Sequence, residues 1–346
     1  MRRHLNTLYV TTENAWLHKD GENAVVEVDG VETGRVPVHL LGGIVCFGPV
    51  GMTPALVGHC VQRGVCVSML GRNGRFLARI EGPVSGNVLL RRAQYRATDD
   101  VAVTAKLAGH IVTGKLLNQR TVVRRALRDH GATMVADTRE RVAACDRRLT
   151  DTARRSTGSS STAVVRGIEG EAAREYYSIF DDLIRRGDRG LSFKGRSRRP
   201  PLDPVNALLS FLYTLLTHDC RSALETVGLD PAVGYLHRER PGRPSLALDV
   251  MEELRPVLAD RLTLSLINRG QLRARDFETA VSGAVTLRDD ARKRVLVAYQ
   301  TRKKAELLHP FIKEKTTLGL VPFVQATLLA RHLRGDLDEY PPFVWR

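Results

Sequence analysis

The sequence is poor in cysteine and in aromatic residues, and it has no long apolar run. Five cysteines (Cys46, Cys60, Cys66, Cys145, Cys220) are scattered, odd in number and never spaced as C-x-x-C. That excludes a disulfide framework and a cysteine-based structural zinc site. The nearest thing to a metal cluster is His59-Cys60 with Cys66, for which small apolar residues in a core are the alternative. The densest apolar stretch, residues 207–216, is interrupted by Ser210 and falls well short of the roughly 20 residues of a membrane span. Met1-Arg2-Arg3-His4 and the polar mix after it lack the apolar stretch of a signal peptide, so a cytoplasmic location without a membrane partner is expected. No G-x-x-x-x-G-K-[ST] occurs, which leaves an NTPase without support.

What is in excess is positive charge. Lys and Arg number 53 against 38 Asp and Glu, a net charge of +15. With 43% hydrophobic and 26% charged residues in 346 positions, the chain reads as globular, with about two domains. A basic balance without an acidic tail points to a polyanion, nucleic acid before an anionic membrane surface. Most of the excess is arginine, whose planar fork suits phosphate oxygens.

The hydrophobic period changes near residue 82. Before it, short β-branched runs at 8–10, 25–28, 31–38, 43–47, 65–70 and 76–80 are punctuated by Asp20-Gly21, Asp29-Gly30 and Gly42-Gly43. One helix is expected there at 53–63, behind a Thr53 cap and Pro54. After it, apolar residues recur at helical spacing. Helices are expected at 99–128, 138–149, 169–184, 203–217, 245–264, 276–280, 289–304 and 322–333, with a polar break at 154–162. The fold class is therefore α+β: a small β-rich, sandwich-like domain over 1–82, a linker at 83–98, and a larger α-helical domain over 99–346.

Three places break the pattern with polar residues. In GIEGEAAREYYSIFDDLI, which begins at Gly167, the apolar stripe of Ala173, Tyr176 or Tyr177, Phe180 and Leu183 or Ile184 extends back four residues to Glu169. A carboxylate continuing a buried face needs a cation or metal beside it; a seat in the first helical turn, favoured by the dipole, is the alternative. Gly167 and Gly170 around it permit close approach of another backbone or a ligand. In GYLHRERPGRPSLALDVMEELRP, which begins at Gly234, His237 lies in a Gly/Pro-rich loop. Asp249 and Glu252 project together from the helix face opposite Val250, Met251, Leu254, Val257 and Leu258. Two carboxylates and an imidazole are a ligand set for a cation of the Mg²⁺ or Mn²⁺ kind, against the alternative of a solvated acidic face. The third place, residues 185–201, is basic, Gly-rich and Pro-terminated, a surface loop suited to phosphate or merely solubilising.

Together these segments resemble the CRISPR-associated integrase of spacer acquisition, the first of the Cas proteins, along essentially the whole chain. The resemblance is carried by Gly167-Ile168-Glu169-Gly170 with Ala172-Ala173-Arg174 and Tyr176, and by Arg198-Arg199-Pro200-Pro201 with Asp203-Pro204-Val205-Asn206. Gly234-Tyr235-Leu236-His237 and Ser245-Leu246-Ala247-Leu248-Asp249 leading to Glu252 complete it. The opening Leu5-Asn6-Thr7-Leu8-Tyr9-Val10 and the ending Pro342-Phe343-Val344-Trp345 are similar to the subtype I-C branch.

The resemblance implies a β domain that forms a homodimer and a helical domain in which Glu169, His237 and Glu252 are the catalytic metal ligands for Mg²⁺ or Mn²⁺. Asp249 stands beside them as an accessory acid, Glu253 leaves a one-residue ambiguity, and Glu171 has no assigned role. It further implies a DNA endonuclease and integrase. The 3′-hydroxyl of a captured double-stranded fragment attacks a phosphodiester at the border of a CRISPR repeat, and a small ferredoxin-like second Cas protein bridges two integrase dimers. His237 must be neutral to bind metal, so activity is expected to fall on acidification. Arg198, Arg199, Lys303, Lys304 and the helix carrying Arg120, Arg124 and Arg125 are the expected clamps on the DNA backbone. Tyr176 either positions a phosphate or belongs to the core. A general nuclease on branched DNA or RNA and a non-catalytic DNA-binding scaffold are the other readings.

Overall fold

Turn chemistry sets the N-terminal strands. In a computed structural model, residues 6–72, 76–80, 82, 88–185 and 189–345 are described. The chain begins with β1 (Asn6–Val10), β2 (Trp16–Asp20), β3 (Asn23–Val28), β4 (Val31–Pro37), β5 (Leu41–Phe47) and β6 (Gly51–Met52). Then come α1 (Pro54–Gln62), β7 (Cys66–Leu70) and β8 (Phe76–Ile80). Asp29 and Gly30, the two residues between the paired Val28 and Val31, both have positive φ (52° and 77°), the backbone that a two-residue hairpin demands. Thr53 caps α1 by accepting the Leu56 N–H at 3.3 Å, with Pro54 in the first turn.

One four-stranded sheet has the order β4-β3-β2-β6, the other β1-β5-β7-β8, with β1, β5 and β7 parallel and β8 antiparallel. They share one core, in which Val10, Leu17, Ala24, Ile44, Leu56 and Val67 come from both sheets and α1. β2 escaped the sequence reading because Trp16-Leu17-His18-Lys19-Asp20 has a single buried apolar residue and no β-branched one. His59, Cys60 and Cys66 form no metal cluster: Cys60 lies in the core and His59 Nε2 faces Glu22 at 3.5 Å. No disulfide links the five cysteines among the described residues.

The expected linker is corrected in part. Its residues 83–87 lie outside the described residues, but the remainder is helical, α2 (Val88–Asp99). Then follow α3 (Val101–His130), α4 (Ala136–Thr157), α5 (Thr162–Ser178), α6 (Pro204–Val227) and α7 (Ser245–Leu254). Pro256, which has no N–H to give, falls just after α7, and the chain passes through a π-helical stretch, Arg255–Asp260, into α8 (Arg261–Asn268). Where a helix was expected at 276–280 there is a hairpin of β9 (Phe277–Thr279) and β10 (Val285–Leu287). α9 (Asp289–Lys303), the hairpin of β11 (Glu306–Leu308) and β12 (Lys315–Thr317), and α10 (Val321–Leu333) complete the chain.

The chain divides into two units, Met1–Ser85 with Leu287–Lys304, and Gly86–Thr286 with Ala305–Arg346. α9 thus belongs with the strands, not with the helical unit as expected. Its buried stripe of Ala291, Val295 and Tyr299 serves the N-terminal unit, where Arg292 stacks over Phe47 with 5.7 Å to the ring centroid. In the helical unit α3 is the hub, packed against α4, α5 and α7. Asp100 caps it by accepting the Ala102 and Val103 N–H groups at 2.9 and 3.0 Å.

Candidate active site

Three segments far apart in sequence converge in the helical unit. α5 begins at Thr162, so Glu169 lies two turns inside it and the first-turn alternative does not apply. The buried cation it needs comes from α3, where Lys115 continues the buried stripe of Leu107 and Ile111. The Lys115 ammonium contacts the Glu169 carboxylate and lies 2.7 Å from Glu252 Oε2. Its side chain is 5% exposed, Glu252 3% and Glu169 27%. Burial disfavours the charged ammonium, but Glu252 and Glu169 outweigh burial and raise its pKa.

Glu252 Oε1 receives the Arg255 guanidinium at 2.5 Å and faces His237 Nε2 at 3.8 Å. Burial alone would raise this carboxyl; Arg255, Lys115 and His237 reverse the effect and hold it well below the usual carboxylate range. α7 is buried on nearly every side, so Asp249 and Glu252 do not form a solvated acidic face.

Asp249, expected as an accessory acid, is the support of His237. Its carboxylate accepts the N–H groups of Tyr235 (2.6 Å), Leu236 (3.0 Å) and His237 (2.9 Å) and contacts His237 Nδ1 at 2.7 Å. The Nδ1 contact with Asp249 orients the ring so that Nε2 faces Glu252. A Cβ on Gly234 would lie 2.8 Å from Asp249 Oδ2 and 2.8 Å from the Ser245 carbonyl carbon, which only glycine avoids.

The loop carrying His237 is fixed from two further sides. Arg166, one turn before Glu169, donates to the Leu236 carbonyl at 2.5 Å. Gln94 on α2 donates to the Asp230 and Val233 carbonyls (2.8 and 3.0 Å) and accepts the Asp230 N–H (2.9 Å). Glu253 turns away from this cluster. It accepts Phe343 N–H (2.7 Å), Tyr340 O–H (2.8 Å) and Gln325 Nε2 (3.0 Å), and burial pushes its pKa up to about 8. Asn118 on α3 donates to the carbonyls of Glu253 and Phe343 and accepts the Trp345 N–H at 2.7 Å. Arg125 and Arg261 stack on the Trp345 ring, 4.9 and 4.6 Å from its centroid.

Two carboxylates plus an imidazole whose other nitrogen is fixed suit a hard or borderline divalent cation. As the side chains stand, however, no group of His, Cys, Asp and Glu among the described residues is arranged to hold a metal ion. The Lys115 ammonium is what lies on Glu169 and Glu252.

The chain matches, over residues 8–301, the family described as CRISPR associated protein Cas1. It belongs to the Cas1 family. It is 59% identical to a Rhodospirillum rubrum protein named CRISPR-associated endonuclease Cas1 2, with 100% of both chains covered. Its fold is similar to that of a casposase bound to integration product, at TM-score 0.84 and 22% identity over 99% of this chain and 95% of that one. A chain of a Cas6-RT-Cas1–Cas2 complex matches at TM-score 0.78 and 24% identity, over 100% of this chain and 36% of that one.

In this Cas1 chain the expected DNA clamps divide. Arg198, Arg199 and Lys304 are exposed. Lys303 is buried, its ammonium over the Tyr299 ring at 5.6 Å, and is removed from the clamps. Arg124 pairs with Asp146 at 2.7 Å, Arg120 reaches Thr150 at 3.5 Å, and Arg125 is committed to Trp345. Tyr176 is fully buried, 5.4 Å from Tyr177 and 5.8 Å from Phe180 ring to ring, so it belongs to the core and cannot position a phosphate. Glu171 is an exposed partner of Arg155 at 3.2 Å.

Residues the sequence reading missed stand beside His237. Burial and then Arg240, Arg199 and Arg198 lower the Arg243 pKa; burial and then Arg238 and Arg243 lower that of Arg166. Like charges this close make a strongly positive rim. Its signal was present in His237-Arg238-Glu239-Arg240-Pro241-Gly242-Arg243, with three arginines in one short loop. Asn206 holds the neighbouring loop, with Oδ1 accepting from Arg196 (2.6 Å) and Ser197 N–H (3.1 Å) and Nδ2 donating to the Gly195 carbonyl (2.7 Å).

Proposed function

We propose that this Cas1-family chain is a metal-dependent DNA integrase and endonuclease of CRISPR adaptation, with Glu169, His237 and Glu252 as its metal ligands. The observation that carries the reading is that Lys115 lies on both Glu169 and Glu252, while His237, its Nδ1 fixed on Asp249, faces Glu252 at 3.8 Å. Mg²⁺ or Mn²⁺ bound there would supply Lewis-acid polarisation of the scissile phosphate. The 3′-hydroxyl of a double-stranded fragment forms a new P–O bond at the repeat border while the old P–O bond breaks, so no protein nucleophile is needed. Arg255 holds the Glu252 carboxylate, Asp249 holds the imidazole, and the rim of Arg198, Arg199, Arg238, Arg240 and Arg243 receives backbone phosphates without reading sequence. Gly167 and Gly170 support access for DNA: apart from their sequence neighbours and their own helix backbone, no atom of the described residues lies within 4 Å of a Cβ built at either.

The partners of this reading are double-stranded DNA, a second copy bound through the N-terminal unit, and a small ferredoxin-like second Cas protein that bridges two dimers. The test uses the chain with that partner, a fluorescent fragment with free 3′ ends, and a supercoiled plasmid carrying a CRISPR repeat. Fluorescence should join the plasmid with Mn²⁺ and wild type, and not with EDTA or Glu169→Ala. Joining by the variant overturns the metal-ligand assignment; cutting without joining turns the reading to a nuclease of branched DNA or RNA.

A further inference from the structure

Glu169 and Glu252 face each other across an ammonium. Lys115 contacts one oxygen of Glu169 and Oε2 of Glu252, while Arg255 and His237 stand at Glu252 Oε1. Two ionised carboxylates brought together in a place this buried would repel each other without a cation between them. The two cations that serve Glu252 differ in freedom. Arg255 stacks on the Tyr213 ring, 4.2 Å from its centroid, and its planar fork is fixed there. Lys115 is a point charge on a four-carbon stem, able to swing by torsion alone. Its helix is closely packed at this point: a Cβ at the neighbouring Gly114 would lie 2.9 Å from Pro342 Cβ and 3.1 Å from Glu253 Cγ.

We propose that Lys115 is a tethered counter-cation of the active site, holding Glu169 and Glu252 together as ionised carboxylates, and that a divalent ion reaches these ligands only by displacing it. The inference rests on the metal-dependent reading above. The charges of the cluster favour exchange over addition. Glu169, Glu252 and Asp249 carry −3, Lys115 and Arg255 carry +2, and the sum is −1. A dication added beside Lys115 leaves +1 in a buried place, whereas a dication in exchange for it leaves 0. Entry is from the side of Glu169 and His237, 27% and 22% exposed, since Glu252 and Lys115 are closed off at 3% and 5%.

The test measures Mn²⁺ binding to the full chain through the electron paramagnetic resonance signal of the free ion. Lys115→Met keeps most of the stem without its charge and is expected to bind Mn²⁺ at least tenfold more tightly than wild type. Its melting temperature should be lower than wild type without metal and rise further with Mn²⁺. Lys115→Arg, a cation that still spans both carboxylates, should bind more weakly than Lys115→Met. Equal or weaker binding by Lys115→Met overturns the exchange.

If that variant does not fold, acetylation of wild type read by mass spectrometry gives the answer. Lys115 labelling should rise at least threefold on saturation with Mn²⁺ while exposed Lys304 stays constant, and unchanged Lys115 labelling overturns the proposal. Absence of Mn²⁺ binding in both wild type and Lys115→Met instead overturns the metal reading itself.

Discussion

The Asp249 carboxylate accepts three backbone N–H groups and holds the His237 imidazole, and an amide in its place offers one acceptor oxygen and an unwanted donor. On the proposed metal-dependent reading, Asp249→Asn should therefore lower integration 10–100-fold, the usual cost of removing the carboxylate behind a ligating histidine. Mn²⁺ affinity measured beside activity should fall with it. A second buried carboxylate sets a pH dependence. Burial raises Asp260 to about 6, against the Tyr213 hydroxyl and Arg255. The fold thus favours its protonated form, a contribution fully present below pH 4 and lost as pH rises through about 6. Two pKa units amount to about 3 kcal/mol. Urea unfolding between pH 4 and 7.5 should show a steeper loss of stability in wild type than in Asp260→Asn, which keeps only the part due to Glu253. The placing of His237 in a Gly/Pro loop and of Glu252 on the helix after it was legible in the sequence. Lys115 was not, because a lysine on a buried stripe declares no partner until α3 and α5 are packed, although Leu107, Ile111 and Lys115 at four-residue steps was the available sign.

Among elements, α2 has the most to say about the site. Gln94 fills three hydrogen bonds of the loop that leads to His237, and Gln94→Ala leaves two carbonyls and an N–H without them. A loss of about 2–3 kcal/mol follows, visible as a lower melting temperature, with strand transfer reduced although no ligand has been touched. Most helices and strands were legible from period, and α1 also from its Thr53 cap. The start of α5 was not, because Ser159-Ser160-Ser161-Thr162 reads as a break and Val164-Val165 is β-branched. β9 and β10, three residues each, are shorter than any periodic signal. The destination of α9 was illegible for another reason: an amphipathic stripe states that it is buried, not against what.

For the whole molecule the governing quantity is the net charge of +15. Binding to duplex DNA should weaken steeply with salt, and Arg240→Ala with Arg243→Ala should make the slope of log K against log salt shallower by about 1.8, two phosphate contacts at 0.9 each. An unchanged slope in fluorescence anisotropy titrations would exclude these arginines as contacts. The double variant should lose affinity equally for fragments of any sequence.

The clasp of Asn118 on Trp345 has a consequence for biosynthesis. These residues are 227 positions apart, and a ribosome adding 5–20 residues per second needs roughly 11–45 s to travel between them. For most of that interval α3 is complete and its polar hub still awaits the segment of chain that will close it. The nascent protein therefore passes that interval with the buried side of α3 that faces Trp345 still open.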